Sequence, residues 1–360
     1  MAGLVRSKEL SSIFSRLAPG TELREGLERI LNGGTGALIV LGYDGTVGSI
    51  SSGGFKINIS YSPTRLRELA KMDGAILCDA QATKIIKAAV QLMPDASIKT
   101  NESGTRHRTA QRVSRQTGFP VVSVSKSMNT IGIYIKGKRL VLEPSDIVLA
   151  RGTQALATLE RYRTRLDQVT DSLSALEIED MVTVRDVTTT LQRQEMVRRI
   201  SQEIQSDVLE LGSDGRLLAL QHDELTAGLE NNTELVIKDY VQNLDNQEDL
   251  PRILKELADI EDTQLITDLT RISQLLGLGN DTETLDSPVH PYGYRILAGM
   301  KAVPGLIAER LISHFGSLQN LMAASLGDLM AVEGVGEQRA RNVYEGLHKI
   351  TDSSLLERFI

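Results

Sequence analysis

The chain has no tryptophan, a single cysteine and only 4% aromatic residues among its 360. Its cores must therefore be built from Leu, Ile, Val, Ala and Met rather than from large rings. The lone Cys78 excludes an internal disulfide, and its place in an apolar run fits a reducing compartment. No stretch approaches the ~20 apolar residues that a membrane-crossing helix needs. Residues 1–10 carry no apolar core of a secretory signal, so the expectation is a cytoplasmic protein with no membrane partner. Excess positive charge is lacking too. The formal net charge is −7, which argues against a protein that coats nucleic acid and leaves room for a local phosphate site. What is present is an ordinary globular composition, 41% hydrophobic and 24% charged, in a chain long enough for two or three domains.

The most informative stretch is Asn101-Glu102-Ser103-Gly104-Thr105-Arg106-His107-Arg108-Thr109. Ser103 and Thr105 both suit a helix N-cap. The residues that follow, to Thr117, read as a helix stopped by Gly118. The triplet Arg106-His107-Arg108 then sits in a first turn, where free N–H groups and the positive dipole end favour acids over cations. An anion would compensate, and a polyphosphate would do so best, because N–H groups, dipole and guanidinium forks would all point at it. The alternative is a solvated basic helix.

Around this stretch the first 145 residues alternate between helix and strand. Leu10–Leu17 and Leu23–Leu31 have helical spacing, with Thr21 as a candidate N-cap. Asn32-Gly33-Gly34-Thr35-Gly36 is either a phosphate cradle or a helix C-cap leading into the buried strand Ala37–Leu41. Asp44-Gly45 is a hairpin signal and Gly53-Gly54 a second turn. Ser62-Pro63 opens another helix. Ala75–Cys78 reads as a short buried strand with Asp73-Gly74 at its start. A carboxylate there can hold a metal or orient a hydroxyl, or be a plain turn residue. Ile85–Leu92 fits strand or helix, Pro120–Ser125 a strand, and Ile131–Ile135 with Leu140–Leu142 a hairpin through Lys136-Gly137-Lys138. The pattern predicts one α/β domain with a mixed sheet over residues 1–145.

The character changes after Ser145. Leu156, Leu159, Tyr162, Leu166, Val169, Leu173 and Leu176 recur at three- and four-residue steps, which predicts a spine helix of roughly six turns. Helical spacing continues to Leu276, broken at Gly212-Ser213-Asp214-Gly215, and His222 reads as an exposed helix residue among polar neighbours. Residues 146–290 are thus expected to form an all-α spacer ending in the linker Gly277–Gly293. In residues 291–360, Val332-Glu333-Gly334-Val335-Gly336 lies between two helical stretches and resembles a helix-hairpin-helix. Its glycines would present backbone N–H groups to a DNA phosphate without reading bases. Val303-Pro304-Gly305-Leu306-Ile307 is a partial copy, expected to be structural. This segment holds seven Lys or Arg and seven Asp or Glu, so DNA affinity per copy should be modest and salt-dependent, and a helical protein-contact module is the competing reading.

Lys71-Met72-Asp73-Gly74-Ala75, Leu92-Met93-Pro94-Asp95 and Gly104–Ala110 together resemble the diadenylate cyclase domain, with its Asp-Gly-Ala and Arg-His-Arg signatures. With a helical middle and a C-terminal helix-hairpin-helix, the whole chain resembles the bacterial DNA-integrity-scanning diadenylate cyclases. The resemblance implies condensation of two ATP into cyclic di-AMP and two pyrophosphates with Mg2+ or Mn2+. It implies two cyclase domains face to face in a homo-octamer, in the cytoplasm at the nucleoid, with branched DNA of the Holliday-junction type inhibiting synthesis. Asp73 would hold the metal or polarise the attacking hydroxyl. Gly74 and Ala75 would allow nucleotide approach, and Leu92 would meet adenine or ribose. Thr105, Arg106, His107, Arg108 and Thr109 would hold phosphates, and Ser125 aligns with a family serine. Gly334, Val335, Gly336, Arg339 and Arg341 would contact DNA. The chain departs from the family at Lys126-Ser127-Met128, where a run of arginines is usual. Two other classes stand beside this one: a nucleotide-responsive, non-enzymatic DNA-junction binder, and a structure-specific nuclease. The nuclease fares poorly, because no compact cluster of carboxylates able to hold two metals is visible.

Overall fold

The computed structural model describes residues 8–230, 232–241, 249–300 and 303–357. The apolar run after the glycine cluster is β1 (Ala37–Leu41), buried at every residue. Seven strands join it in one sheet: β2 (Ser51–Ser52), β3 (Phe55–Ser60), β4 (Ala75–Cys78), β5 (Lys84–Leu92), β6 (Val121–Ser125), β7 (Thr130–Ile135) and β8 (Lys138–Leu142). Their order is β2-β5-β4-β1-β6-β7-β8, with β3 paired to β5. β1 and β4 run parallel and the other described pairings are antiparallel, so the sheet is mixed as expected. The ambiguous stretch Ile85–Leu92 is strand because it is sandwiched between two partners, β3 and β4.

Five helices cover this sheet: α1 (Lys8–Leu17), α2 (Glu22–Asn32), α3 (Gly45–Ser49), α4 (Pro63–Leu69) and α5 (Thr105–Thr117). Alternation along each strand sorts side chains to two faces. Ile39, Ile76, Val122 and Ile133 pack with Leu27 of α2 and Leu66 of α4. Leu38, Val40, Ala75, Leu77, Val121 and Tyr134 pack with Ala110 and Val113 of α5. Thr21 caps α2 and Ser62 caps α4, and α5 stops at Gly118, which has φ 75°. Two expectations change. Asp44-Gly45 is no hairpin: Asp44 accepts the Val47 N–H at 2.9 Å and caps α3, because a short acidic side chain can satisfy a helix start as readily as a turn. Neither Ser103 nor Thr105 caps α5. Gly104 stands at that position with φ 82° and no side-chain cap bond.

The rest of the chain is helical: α6 (Ser145–Glu179), α7 (Val184–Leu211), a tight 3-10 turn at Gly212–Gly215, α8 (Arg216–Thr226), α9 (Asn232–Tyr240), α10 (Asp249–Asp259), α11 (Asp262–Thr267) and α12 (Leu269–Leu275). The spine α6 has 35 residues, longer than its apolar spacing indicated. Its first turns leave Ile147 and Leu149 exposed and are held instead by Arg151, which bonds Glu143 and Asp207 at 2.6 Å each. The C-terminal part follows as α13 (Tyr294–Ala298), α14 (Gly305–Phe315), α15 (Leu318–Met322), α16 (Leu326–Met330) and α17 (Glu337–Glu357). Among the described residues no helix is long and apolar enough to cross a membrane.

Chain contacts divide the molecule into two compact units, residues 1–154 with 203–221, and residues 155–202 with 222–360. In the first, the turn after α7 packs back on the sheet domain, where Ser213 Oγ donates to the Pro19 carbonyl at 3.2 Å. The second holds two cores, one around Leu173, Val187, Leu191 and Val236, the other around Leu297, Leu311, Leu329 and Val343. His222 is not exposed as expected. Only 3% of it reaches solvent, and its Nε2 lies 2.7 Å from Ser201 Oγ. Its neighbour Asp223 turns back to it, with Oδ1 3.2 Å from His222 Nδ1, so polar neighbours in sequence do not mark the face a helix residue occupies.

Candidate functional site

Strand register explains why residues far apart in the chain converge. Ala37 pairs with Val124, Leu38 with Ala75, and Ala75 with Val90. The starts of β1 and β4 and the ends of β5 and β6 therefore lie at one end of the sheet. That end carries the Gly33–Gly36 turn before β1, Asp73 and Gly74 before β4, Leu92 closing β5, and Ser125 closing β6. The start of α5 joins them: Arg106 Nη1 donates to the Val124 carbonyl at 3.4 Å.

Asp73 is exposed at this end. Gly74 has φ 109°, and a Cβ there would lie 2.6 Å from the Ala89 carbonyl carbon, so both conformation and space demand glycine. Ala75 is 1% exposed and belongs to the core beneath α5. Leu92 is half-buried against that same core.

In the first turn of α5, Thr105, Arg106 and Arg108 are exposed, and His107 and Thr109 are half-buried. Arg108 N–H bonds the Gly104 carbonyl at 3.1 Å, which leaves the N–H groups of Thr105, Arg106 and His107 open at the helix end. No acid lies in this turn. His107 Nδ1 is 2.9 Å from the Tyr134 hydroxyl and 3.5 Å from Ser123 Oγ. Burial, then the positive Arg139, hold the imidazole below its usual pKa. Burial likewise keeps the Tyr134 phenol protonated. The ring between the two guanidinium groups is thus harder to protonate than a free histidine.

Ser125 is buried. Its hydroxyl lies 3.3 Å from Ser127 Oγ and accepts the Met128 N–H at 3.4 Å, closing the β6–β7 turn. The exposed residues of that turn are Lys126, Ser127, Met128 and Asn129, the first three being the segment that departs from the arginine run. Sequence reasoning did not single out Tyr134, Glu102 or Arg139. Tyr134 looked like a plain strand residue, yet it lies under His107, and Glu102 and Arg139 pair at 3.3 Å beside it.

Among the described residues no group of three His, Cys, Asp or Glu is placed to hold a metal. A single carboxylate at Asp73 fits a divalent cation that brings most of its oxygen ligands from phosphates and water, which is how Mg2+ is usually held.

In the C-terminal part, Gly334 has φ 85° and a Cβ there would lie 2.7 Å from Arg310 Nη1. Arg310 donates to the Glu333 carbonyl and Arg339 to the Gly334 carbonyl, each at 2.9 Å, so two arginines brace the loop. Val335 is buried and its N–H bonds the Val332 carbonyl at 3.1 Å. The first helical bond of α17 runs from Ala340 N–H to the Gly336 carbonyl, which leaves the preceding N–H groups open at the helix start. Arg341 pairs with Glu337 at 3.1 Å. In the upstream copy, Ile307 is buried in the core while Leu306 is exposed.

An α/β sheet with a basic helix start at one end, a helical middle and a helix-hairpin-helix define a nucleotide-binding protein with a DNA-binding module. Three family models match in the same order: "DisA bacterial checkpoint controller nucleotide-binding" over 24–139, "DisA bacterial checkpoint controller linker region" over 142–285, and "Helix-hairpin-helix motif" over 295–356. The DNA integrity scanning protein DisA of Kineococcus radiotolerans is 57% identical over 351 residues, which is 98% of each chain. That of Acidothermus cellulolyticus is 55% identical, covering 98% of this chain and 96% of its own. That of Streptomyces griseus is 56% identical, covering 96% and 93%. The chain belongs to the DisA family of DNA integrity scanning proteins. It is a diadenylate cyclase, a nucleotidyltransferase that uses ATP. Its helix-hairpin-helix serves DNA binding.

Proposed function

We propose that the sheet domain joins two ATP molecules into cyclic di-AMP and two pyrophosphates, and that branched DNA bound by residues 291–360 lowers that rate. The observation that carries the reading is the convergence of Asp73, the open start of α5 and Ser125 at one sheet end. The 3′-oxygen of each ATP bonds to the α-phosphorus of the other. The bond from that phosphorus to the β-phosphate bridging oxygen breaks, each hydroxyl releases its proton, and pyrophosphate leaves. Asp73 would hold a divalent cation, Mg2+ or Mn2+, which would supply charge neutralisation and polarise the hydroxyl.

The protein's share is positioning and charge stabilisation. Arg106, Arg108 and the open N–H groups of Thr105 to His107 take phosphate oxygens, with the Thr105 and Thr109 hydroxyls beside them. Neutral His107 offers a directed hydrogen bond rather than a third charge. Leu92 and the backbone at Gly74 and Ala75 border the nucleoside, and Ser125 shapes the turn beside the phosphates. One domain holds one ATP, so two domains meet face to face, in a homo-octamer of two apposed tetramers. The loop residues Gly334, Val335 and Gly336, with Arg339 and Arg341 at the start of α17, form the phosphate-facing surface that takes a Holliday-type junction in the bacterial cytoplasm, at the nucleoid. The working domains are residues 1–145, 146–290 and 291–360.

The test is product identification. The full chain is incubated with ATP and Mg2+ or Mn2+, with and without a four-way junction, and products are read by mass spectrometry. Cyclic di-AMP that falls on adding the junction supports both halves. Undiminished product refutes the sensing half, and bound ATP without product under either metal refutes the synthetic half.

A further inference from the structure

We propose that Gly36 is a positioning residue for the reaction, its missing side chain forming the slot that seats the Arg106 guanidinium at the phosphate end of the sheet. The proposal rests on the reading of Arg106 as a phosphate ligand. The turn Gly33-Gly34-Thr35-Gly36 uses glycine for two different reasons. Gly34 has φ 64°, a left-handed conformation that favours glycine. Gly36 is not among the positive-φ positions, so its φ does not call for glycine. The space beside it would not. A Cβ on Gly36 would overlap Arg106 Nη1 and lie 2.9 Å from Cζ and 3.1 Å from Nη2.

The slot has two walls. On one side is Gly36; on the other the Val124 carbonyl accepts from Arg106 Nη1 at 3.4 Å. Because Ala37 pairs with Val124, Gly36 at the entry to β1 and the Val124 carbonyl of β6 lie at the same end of adjacent strands. The Gly36 wall is fixed from behind. The N–H groups of Gly33, Gly34 and Thr35 bond the Arg29, Leu31 and Ile30 carbonyls at 3.1, 3.0 and 3.2 Å, tying the turn to the end of α2. Arg106 itself is exposed and on a long flexible stem. A guanidinium carries five donors in a rigid fork, and one donor spent on Val124 leaves the others for a phosphate at a defined angle. The glycine turn thus cradles the cation that binds the anion.

The atoms a new Cβ would displace are the far end of a flexible side chain, so Gly36→Ala should fold normally while moving the guanidinium. The experiment is a double-mutant cycle on the full chain: wild type, Gly36→Ala, Arg106→Ala and the double variant. kcat and KM for ATP are measured alongside melting temperature. The expected result is an unchanged melting temperature for Gly36→Ala and a loss of kcat/KM on the order of 10–100-fold, as for a misplaced catalytic group. Gly36→Ala should add nothing once Arg106 is Ala. Wild-type kinetics for Gly36→Ala beside a crippled Arg106→Ala overturns the positioning role and leaves the phosphate role intact. Wild-type kinetics for Arg106→Ala overturns both. An equal loss from Gly36→Ala in both backgrounds also overturns the proposal. If Gly36→Ala does not fold, recovery of folding in the double variant shows the collision directly, and failure to fold in both backgrounds refutes it.

Discussion

The carboxylate of Glu177, near the end of α6, meets the Arg295 guanidinium at 2.6 Å, with 0% and 11% of the two side chains exposed. The Tyr240 hydroxyl donates to the same Glu177 oxygen at 2.6 Å, and Ser174 Oγ accepts from Arg295 at 3.1 Å. Next to it, Asp239 accepts the N–H groups of Gly293, Tyr294 and Arg295 at the start of α13. Two buried carboxylates thus fasten the first helix of the helix-hairpin-helix to the helices before it. Removing Arg295 leaves Glu177 buried and without its cation. Arg295→Ala is expected to destabilise the second unit by about 3–5 kcal/mol, whereas Glu177→Leu with Arg295→Met should cost less. Urea unfolding of the full chain compares them, and equal losses for both would contradict the assignment.

Asp239 supplies a pH dependence whose sign follows from its environment. Burial, then the Glu177 carboxylate, push its pKa up to about 7 against the lowering by its three N–H bonds. The native state then holds a proton that the unfolded chain gives up near the ordinary Asp value of about 4. Stability is full below that value, falls as pH rises through roughly 4–7, and is level above. Melting temperature followed across this range should fall less steeply for Asp239→Asn than for the wild type. Identical slopes would show that Asp239 does not carry a proton in the fold.

The neutral state of His107 is open to direct measurement. Its ring should titrate below the ordinary histidine range when followed by NMR in the full chain. As pH falls below the ordinary histidine range, the folded state resists protonation that the unfolded chain accepts, and this contribution to stability is lost. Tyr134→Phe removes one hydrogen bond without changing shape. A loss of about 1 kcal/mol, or a few-fold in kcat/KM, is expected. A titration above the ordinary value would restore His107 as a cation.

Asp73→Asn should leave the melting temperature unchanged, since the side chain is exposed. Cyclic di-AMP formation should fall by at least about 100-fold, the scale of losing one electrostatic catalytic group, with ATP still bound by calorimetry. Substantial product from this variant would remove Asp73 from the catalytic role.

Gly334→Ala forces a side chain into φ 85° and towards the Arg310 guanidinium that braces the loop. Strain of about 1–3 kcal/mol is expected there. Junction affinity should drop about fivefold or more, and affinity of the unmodified chain should fall as salt rises. Both are read by fluorescence anisotropy, and unchanged affinity would place the DNA contact elsewhere.

Much of this molecule was written in short-range pattern. The all-apolar Ala37–Leu41 could only be a buried strand, Ser62-Pro63 could only open a helix cleanly, and Gly118 marked the end of α5, because each outcome depends on residues a few positions away. The Arg106-His107-Arg108 triplet at a helix start and the Val332–Gly336 loop were legible for the same reason. Tertiary structure decided the rest. Strand register, a matter of hydrogen bonds between distant segments, chose which end of the sheet gathers Asp73, Leu92, Arg106 and Ser125. Desolvation lowered the pKa of His107, and helix facing buried His222; neither is visible in their sequence neighbours. Gly36 shows the division most plainly. Its place after a helix explains a turn, but the reason it cannot carry a side chain is a guanidinium brought to it from α5 by the fold.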